Sequence, residues 1–391
     1  MSDKTENNVG TFIRKIFEKY SMIIILIVTL LIFQLLTDGI LLRPVNVTNL
    51  ILQNSHILVL AIGMLMVVLL GHVDLSVGSV MAFVGALSAM LMIQREISPW
   101  LVIPLCLIIG GVIGAWQGFW IAYVKIPAFI VTLSGLLLFR GLTQVLLGGM
   151  SIANYPSMFN FLSSGYLPNI GESELHMTSI LIGTAVAILL AATMYMSRKK
   201  KKDNLIKVES MTSFITKLVV IVGTILAITY VFSQHNGFPF VMIVIAVLAA
   251  IYTFITNQTV MGRHIYATGG NYKSAELSGV KTKKVTFWVF VNMGVLAALA
   301  GMILAARLNA ATPQAGSGIE LDALSAVYFG GASTSGGIGT IVGALVGGLI
   351  IGVLNNGMSI LGVGIDWQQA IRGLILLLAV VIDQYNKRKK G

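Results

Sequence analysis

Residues 50–70 read L-I-L-Q-N-S-H-I-L-V-L-A-I-G-M-L-M-V-V-L-L. No Lys, Arg, Asp or Glu interrupts them. A helix of that length rises about 30 Å, the thickness of a bilayer's hydrocarbon core. Ten further apolar runs resemble it, at 21–36, 79–93, 101–123, 127–147, 177–196, 218–232, 241–255, 285–305, 338–360 and 367–382. A membrane β-barrel would show alternating segments of about ten residues, and these runs are long and unbroken. The expected fold is therefore all-α: a polytopic membrane helical bundle. A twelfth stretch, 321–330, is apolar but too short to cross.

Composition supports this reading. Of 391 residues 56% are hydrophobic, enough for roughly 11 spans of about 20 residues. Charged residues make up 10%, against about 25% in soluble domains. A soluble enzyme, a nucleic-acid binder and a disordered chain are excluded. The net charge of +11 belongs to membrane orientation, not to nucleic acid. The single cysteine, Cys106, permits no intramolecular disulfide and no Cys-based metal site. After run 21–36 come Thr37, Asp38 and Gly39 instead of a small-x-small cleavage site, so that run reads as a retained span.

Lys and Arg are distributed unevenly. With the amino terminus inside, the inner segments hold 21 of the 26, and the largest outer loop, 149–176, holds none. This asymmetry sets orientation. It keeps the tail at 387–390 inside only if 321–330 returns part-way through the membrane. The expectation is about ten full transmembrane helices plus short interrupted or re-entrant segments, with both termini cytoplasmic in the plasma or inner membrane. The organisation is a cytoplasmic segment 1–20, a transmembrane domain 21–386 and a basic tail 387–391. An inner loop, 197–217, and a second inner segment, 261–284, lie within the domain. The basic run Arg198–Lys202 reads as an orientation anchor or a lipid contact.

Two Gly/Ser-rich stretches each precede an apolar helix: Gly71 to Ser79 and Gly330 to Thr340. Transporter repeats place such interrupted segments at the pathway. The glycines Gly339, Gly343, Gly347, Gly348 and Gly352 recur near every fourth residue and read as a packing face.

No phosphate loop, H-E-x-x-H or G-x-S-x-G occurs. The chain is expected to be no enzyme, to hydrolyse no ATP alone and to carry no cofactor or metal. Charge within the spans is limited to His56, Arg140 and Arg372, with Asp74 at an interrupted segment, so ion coupling lacks its usual parts. Neutral hydrogen-bonding side chains are the alternative lining. Asn54, Asp74, Gln117, Trp120, Thr132, Asn292, Asn355 and Asn356 are the candidate pathway residues, since an uncharged sugar needs amides, hydroxyls and aromatic faces. Taken singly, each of them reads first as interhelical glue and second as pathway lining.

The segment Met261-Gly262-Arg263-His264-Ile265-Tyr266-Ala267-Thr268-Gly269-Gly270-Asn271 leads into Tyr272-Lys273-Ser274-Ala275-Glu276-Leu277-Ser278-Gly279. A short helix is expected, capped by Asn271 and stopped by Gly279. Such a helix along the inner face is something a soluble partner can grip.

At this segment the chain resembles the sugar-importing permease subunits of ATP-binding-cassette systems, the ribose, xylose and galactose group. The resemblance covers nearly the whole chain. It runs through Asp74-Leu75-Ser76-Val77-Gly78-Ser79, Ile126-Pro127-Ala128-Phe129-Ile130-Val131-Thr132-Leu133 and Gly262 to Gly279. It continues through Glu320-Leu321-Asp322-Ala323, Gly330-Gly331 to Gly339-Thr340, Leu354-Asn355-Asn356-Gly357 and Trp367-Gln368-Gln369. The length and the region 198–217 look like the longer xylose or multiple-monosaccharide branch. His72, Thr268 and Ser274 depart from the family's commoner residues.

The resemblance implies a pore built with a second permease copy, cytoplasmic ATP-binding subunits, and an extracellular or periplasmic sugar-binding protein. It implies ATPase coupling through Gly262, Arg263, Gly269, Gly270, Asn271, Ala275, Glu276, Leu277, Ser278 and Gly279. The expected function is passage of a monosaccharide such as xylose, galactose or arabinose, driven by partner ATPases. The rivals are an ion-coupled secondary sugar transporter and a permease of the same class for another small solute. Membrane lipid is an expected partner and nucleic acid is not.

Overall fold

The computed structural model describes residues 21–388 apart from 172, 205–207 and 209. The amino-terminal segment 1–20 and positions 389–391 of the basic tail lie outside the described residues.

Each of the eleven apolar runs falls in a helix. They are α1 (Ser21–Leu36), α2 (Pro44–Leu69), α3 (Val77–Ala89, continued by a wider turn over Met90–Gln94), α4 (Pro99–Ala122) and α5 (Ala128–Leu147). A short helix, α6 (Ser157–Ser164), comes before α7 (Met177–Asp203), α8 (Met211–Ser233) and α9 (Phe240–Gln258). Then follow α10 (Val260–Gly270), α11 (Tyr272–Leu277), α12 (Thr282–Leu308), α13 (Ile319–Phe329), α14 (Ile341–Ile360) and α15 (Ile365–Arg388). Among the described residues nine helices are long and apolar enough to cross a bilayer. The protein is a polytopic helical membrane bundle.

Local chemistry sets the ends. Pro44 and Pro99 stand in the first turns of α2 and α4, where the missing N–H costs nothing. Helix α8 starts at Met211, seven residues before its apolar run, because the Ser210 side chain accepts from the Ser213 N–H.

Helices α2 and α12 form the centre. Every residue of α2 from 54 onward is buried. α12 lies along α4 with almost no side chain between them. A Cβ at Gly114 would overlap the Phe290 carbonyl oxygen, and one at Gly110 would overlap that of Gly294. α14 closes on α13 through Gly343 and Gly347, and on α2 through Gly348 and Gly352. The glycine face expected on α14 is thus a packing face shared between two neighbours. Large apolar side chains cover the outside, Leu137 and Val145 on α5 among them, as lipid contact requires. The α7–α8 pair is peripheral, with 17% and 11% of their apolar windows buried.

The two ends of the bundle differ. One carries a two-stranded ribbon absent from the all-helical expectation, β1 (Ile152–Ala153) against β2 (Ala310–Ala311), antiparallel. The Asn309 side-chain oxygen ties this ribbon end together, accepting from the Tyr155 N–H at 2.9 Å and from Asn160 at 2.9 Å. The other end carries Lys125, the end of α7, and α10–α11, and is here called the basic end.

Two helices begin inside the bundle. After α2, residues 71–76 turn back so that Ser76 lies against Gln117 of α4 and Gly135 of α5. After β2 the chain dips inward; the Ala315 carbonyl accepts from Arg140 at 3.3 Å. Gly78 and Gly316 meet there, each placed so that a Cβ would overlap the other's carbonyl oxygen. Gly316 has φ +74°, a second reason for glycine. Helix α13 starts from this contact. Its 11 residues rise about 16 Å, half a crossing, as the short run 321–330 implied.

Candidate functional site

A cavity of about 620 Å³ opens at the ribbon end. Helix α2 supplies Asn46, Gln53, Asn54 and His56 to its wall. Arg307 closes it from the end of α12, Gln314 and Ser317 from the dipping segment, and Asp322 from α13. Asn355, Asn356 and Ser359 of α14 and Gln368 and Arg372 of α15 complete the lining. His56 is twelve residues into α2, about 18 Å from its start, so the chamber reaches mid-bundle. Beyond it α2 is wholly buried and apolar down to Leu70.

The wall is held by hydrogen bonds between helices. Asn46 donates to the Asn356 side-chain oxygen at 2.8 Å, and Asn356 donates to Asn46 and to Gln53 at 3.2 Å each. Asp322 receives Arg372 at 3.4 Å and Asn355 at 3.4 Å. Three buried atoms of this wall have no protein partner: His56 Nδ1, Asn355 Oδ1 and Arg372 Nε. His56 is 6% exposed. A buried polar atom without a partner costs about 1–3 kcal/mol. The Arg372 N–H is a donor, Asn355 Oδ1 an acceptor, and the imidazole nitrogen either, by tautomer. Hydroxyl groups, which donate and accept, match this mixed set.

Of the expected pathway residues, Asn54, Asn355 and Asn356 border the chamber. Asp74, Gln117 and Thr132 gather elsewhere, at the start of α3. Asp74 Oδ1 accepts from the Ser76 N–H at 2.9 Å and its hydroxyl at 2.6 Å. Gln117 donates to the Ser76 hydroxyl at 2.8 Å, and Thr132 reaches the Val73 carbonyl at 3.4 Å. These residues hold the turn before α3. Trp120 is 36% exposed on the outer face of α4, edge-on to Phe119. Asn292 accepts from the Tyr252 hydroxyl and so joins α12 to α9. Gln53, Arg307, Gln314, Asp322 and Gln368 were not among the expected pathway residues. A polar stripe at helical spacing, Asn46, Gln53 and His56 on α2 or Gln368 and Arg372 on α15, is the sequence signal for part of the set.

At the basic end the Thr259 side chain caps α10 by accepting from the Gly262 N–H at 3.2 Å. Asn271 accepts from the Ser274 N–H at 2.9 Å and starts α11, and Gly279 ends it at φ +84°. The cap and the stop stand where the sequence put them. Gly262 and Ala275 are buried, and Gly269 is half-buried. Arg263, Gly270, Asn271, Glu276, Ser278 and Gly279 are exposed, and Leu277 projects with 82% exposure.

This element is fastened to both interrupted segments. The Gly337 N–H donates to the Leu69 carbonyl at 2.9 Å. A Cβ on Gly269 would overlap that same carbonyl and come within 2.9 Å of Gly337 N. The Tyr266 hydroxyl donates to the Gly339 carbonyl at 2.7 Å. Burial pushes the Tyr266 phenol up from its ordinary value, so it keeps its proton and remains a donor. The end of α2, the segment before α14 and the end of α10 thus meet backbone to backbone. A second cavity, of about 540 Å³, lies beside them between Gly71, Lys125, Phe129 and Tyr272.

Residues 46–380 match the family model described as a branched-chain amino acid transport system permease component. The chain is 38% identical over 370 residues to the xylose transport system permease protein XylH of Haemophilus influenzae, covering 95% of this chain and 97% of that one. It is 34% identical to XylH of Escherichia coli K12, covering 95% and 92%. It is 33% identical over 345 residues to the ribose import permease protein RbsC of H. influenzae, covering 88% and 87%. No solved structure matches. With the family model spanning most of the chain and these relatives aligning nearly end to end, the chain belongs to the permease-component family of ATP-binding-cassette transport systems, beside the xylose and ribose permeases.

Proposed function

We propose that this chain is the membrane pathway for a neutral monosaccharide of the xylose–ribose class, moved inward by ATP hydrolysis on partner subunits. The chamber carries this reading. Its unpartnered donor and acceptors form a mixed set that sugar hydroxyls satisfy, and its one carboxylate, Asp322, is already engaged by Arg372 and Asn355. The basic end faces the cytoplasm, by the Lys/Arg asymmetry, so the chamber opens outward and the buried half of α2 closes it below. A sugar-binding protein delivers cargo at the ribbon end. ATP-binding subunits grip α10–α11, where Glu276 and Leu277 project. A second copy of the chain completes the pore. Closure of the ATPases pulls α10, and the junction at Leu69, Gly269 and Gly337 carries that pull to α2 and α14, which line the chamber. Alternating access follows from rocking these helices.

The test is uptake of labelled xylose and ribose by vesicles holding the permease, its ATPase subunits and its binding protein. Asn355→Leu removes an acceptor inside the chamber, a loss of about 1–3 kcal/mol. Uptake is expected to fall roughly tenfold while ATP hydrolysis by the assembly persists. Unchanged uptake of every sugar tested would overturn the chamber assignment. Uptake without the ATPase subunits would overturn the energy source.

A further inference from the structure

The chamber wall carries more positive than negative charge. Its lining includes two guanidinium groups, Arg307 and Arg372, and among the lining residues one carboxylate, Asp322. Arg372 is spent on that carboxylate at 3.4 Å. Arg307 is half-buried, and among the described residues its guanidinium makes no hydrogen bond or ion pair. Both arginines lie within electrostatic reach of His56. Side chains from α2, α12 and α15 thus converge on one part of the chamber, where His56 Nδ1 and Arg372 Nε have no protein partner.

The ribbon holds Arg307 in position. Arg307 stands in the last turn of α12, two residues before Asn309, whose side-chain oxygen accepts from the Tyr155 N–H and from Asn160 at 2.9 Å each. Sugar hydroxyls satisfy donors and acceptors but give a guanidinium no counter-charge. While the chamber is open, water solvates Arg307. When the chamber closes over cargo that water is lost, and an unpaired charge out of water is costly. A carboxylate on the cargo removes this cost and takes two parallel N–H bonds from the planar fork.

We propose that the chamber takes sugar acids beside the neutral sugar, the cargo carboxylate lying on Arg307 and its hydroxyls on His56, Asn355 and Arg372. This rests on the chamber being the sugar's path. The substrate class is a five- or six-carbon polyhydroxy monocarboxylate, and the chamber's volume of about 620 Å³ is ordinary for a small-molecule site. A cationic amino sugar meets a like charge at Arg307 and is turned away.

The experiment compares D-xylose, D-glucuronate, which is xylose with a carboxylate on C5, and D-glucuronamide, the neutral isostere of the acid. Binding of each radiolabelled probe is measured by equilibrium dialysis on the permease assembled with its ATPase subunits. The sugar-binding protein is left out, so its own selectivity does not enter. The native assembly is expected to bind glucuronate at least about tenfold more tightly than glucuronamide, the margin of a charge-assisted pair. Arg307→Gln is expected to abolish the preference. Arg307→Lys keeps the charge and loses the fork, and is expected to fall between the two. The ratio is internal to each variant, so a smaller folded fraction does not change it. Xylose bound, with glucuronate no tighter than glucuronamide, would overturn the acid assignment and leave the chamber as the sugar's path. Binding of none of the three would overturn both. A preference of native size in both Arg307 variants would overturn Arg307 as the partner of the carboxylate.

Discussion

Replacing Gly269 with alanine adds one methyl group at the point where α10 meets the end of α2. The added carbon falls on the Leu69 carbonyl oxygen and 2.9 Å from Gly337 N, inside the 3.4 Å at which ordinary contact begins. Every atom in the way is backbone, so no side chain can swing aside. Overpacking of this kind costs about 1–3 kcal/mol. The Gly337-to-Leu69 hydrogen bond lies in the path of the methyl and contributes about 1 kcal/mol more. A total of about 2–4 kcal/mol lowers the population of the docked arrangement by at least about thirtyfold. Gly223, exposed on α8 and apart from α10–α11, is the control, because a Cβ there meets nothing within 4 Å and alanine favours a helix by up to about 1 kcal/mol. The assay measures sugar uptake and ATP hydrolysis in the same vesicles. Gly269→Ala is expected to cut sugar moved per ATP at least tenfold, with hydrolysis and sugar binding by the external protein retained. Gly223→Ala is expected to match the native ratio. If the two variants behave alike, the junction does not transmit the pull of the ATPases.

Gly114→Leu drives a side chain into the Phe290 and Val291 backbone of α12 and is expected to lower the midpoint of thermal unfolding in detergent by several degrees; Gly141→Ala, where a Cβ meets nothing, is expected to hold or raise it. Asp322→Asn leaves Arg372 without its carboxylate and is expected to cost about 3 kcal/mol. The double replacement Asp322→Leu, Arg372→Leu is expected to unfold closer to the native midpoint than Asp322→Asn does, and a double variant less stable than the single would refute the ion pair as the reason.

The sequence by itself determined the class of the molecule. Runs of about 20 apolar residues have one stable outcome in a bilayer, because each must satisfy its own backbone hydrogen bonds within the helix. The short helix at 271–279 was equally legible, since Asn271 and Gly279 act on backbone a few residues away. The half-length helix, Ile319–Phe329, was legible in the shortness of the apolar stretch 321–330. Only the tertiary structure decided which polar residues share a wall. Asn54 and Asn292 look alike along the chain, yet one borders the chamber and the other joins two helices, because the rotation of each helix is set by its neighbours. Gly110, Gly114 and Gly118 repeat every fourth residue as the α14 glycines do, yet only packing makes them the seam between α4 and α12. Arg307, Asp322 and Arg372 come from three helices 15 to 65 residues apart, and nothing local draws them together. Spacing along one helix reports a face; what that face meets is a property of packing, and the chamber and the glycine junction are both made there.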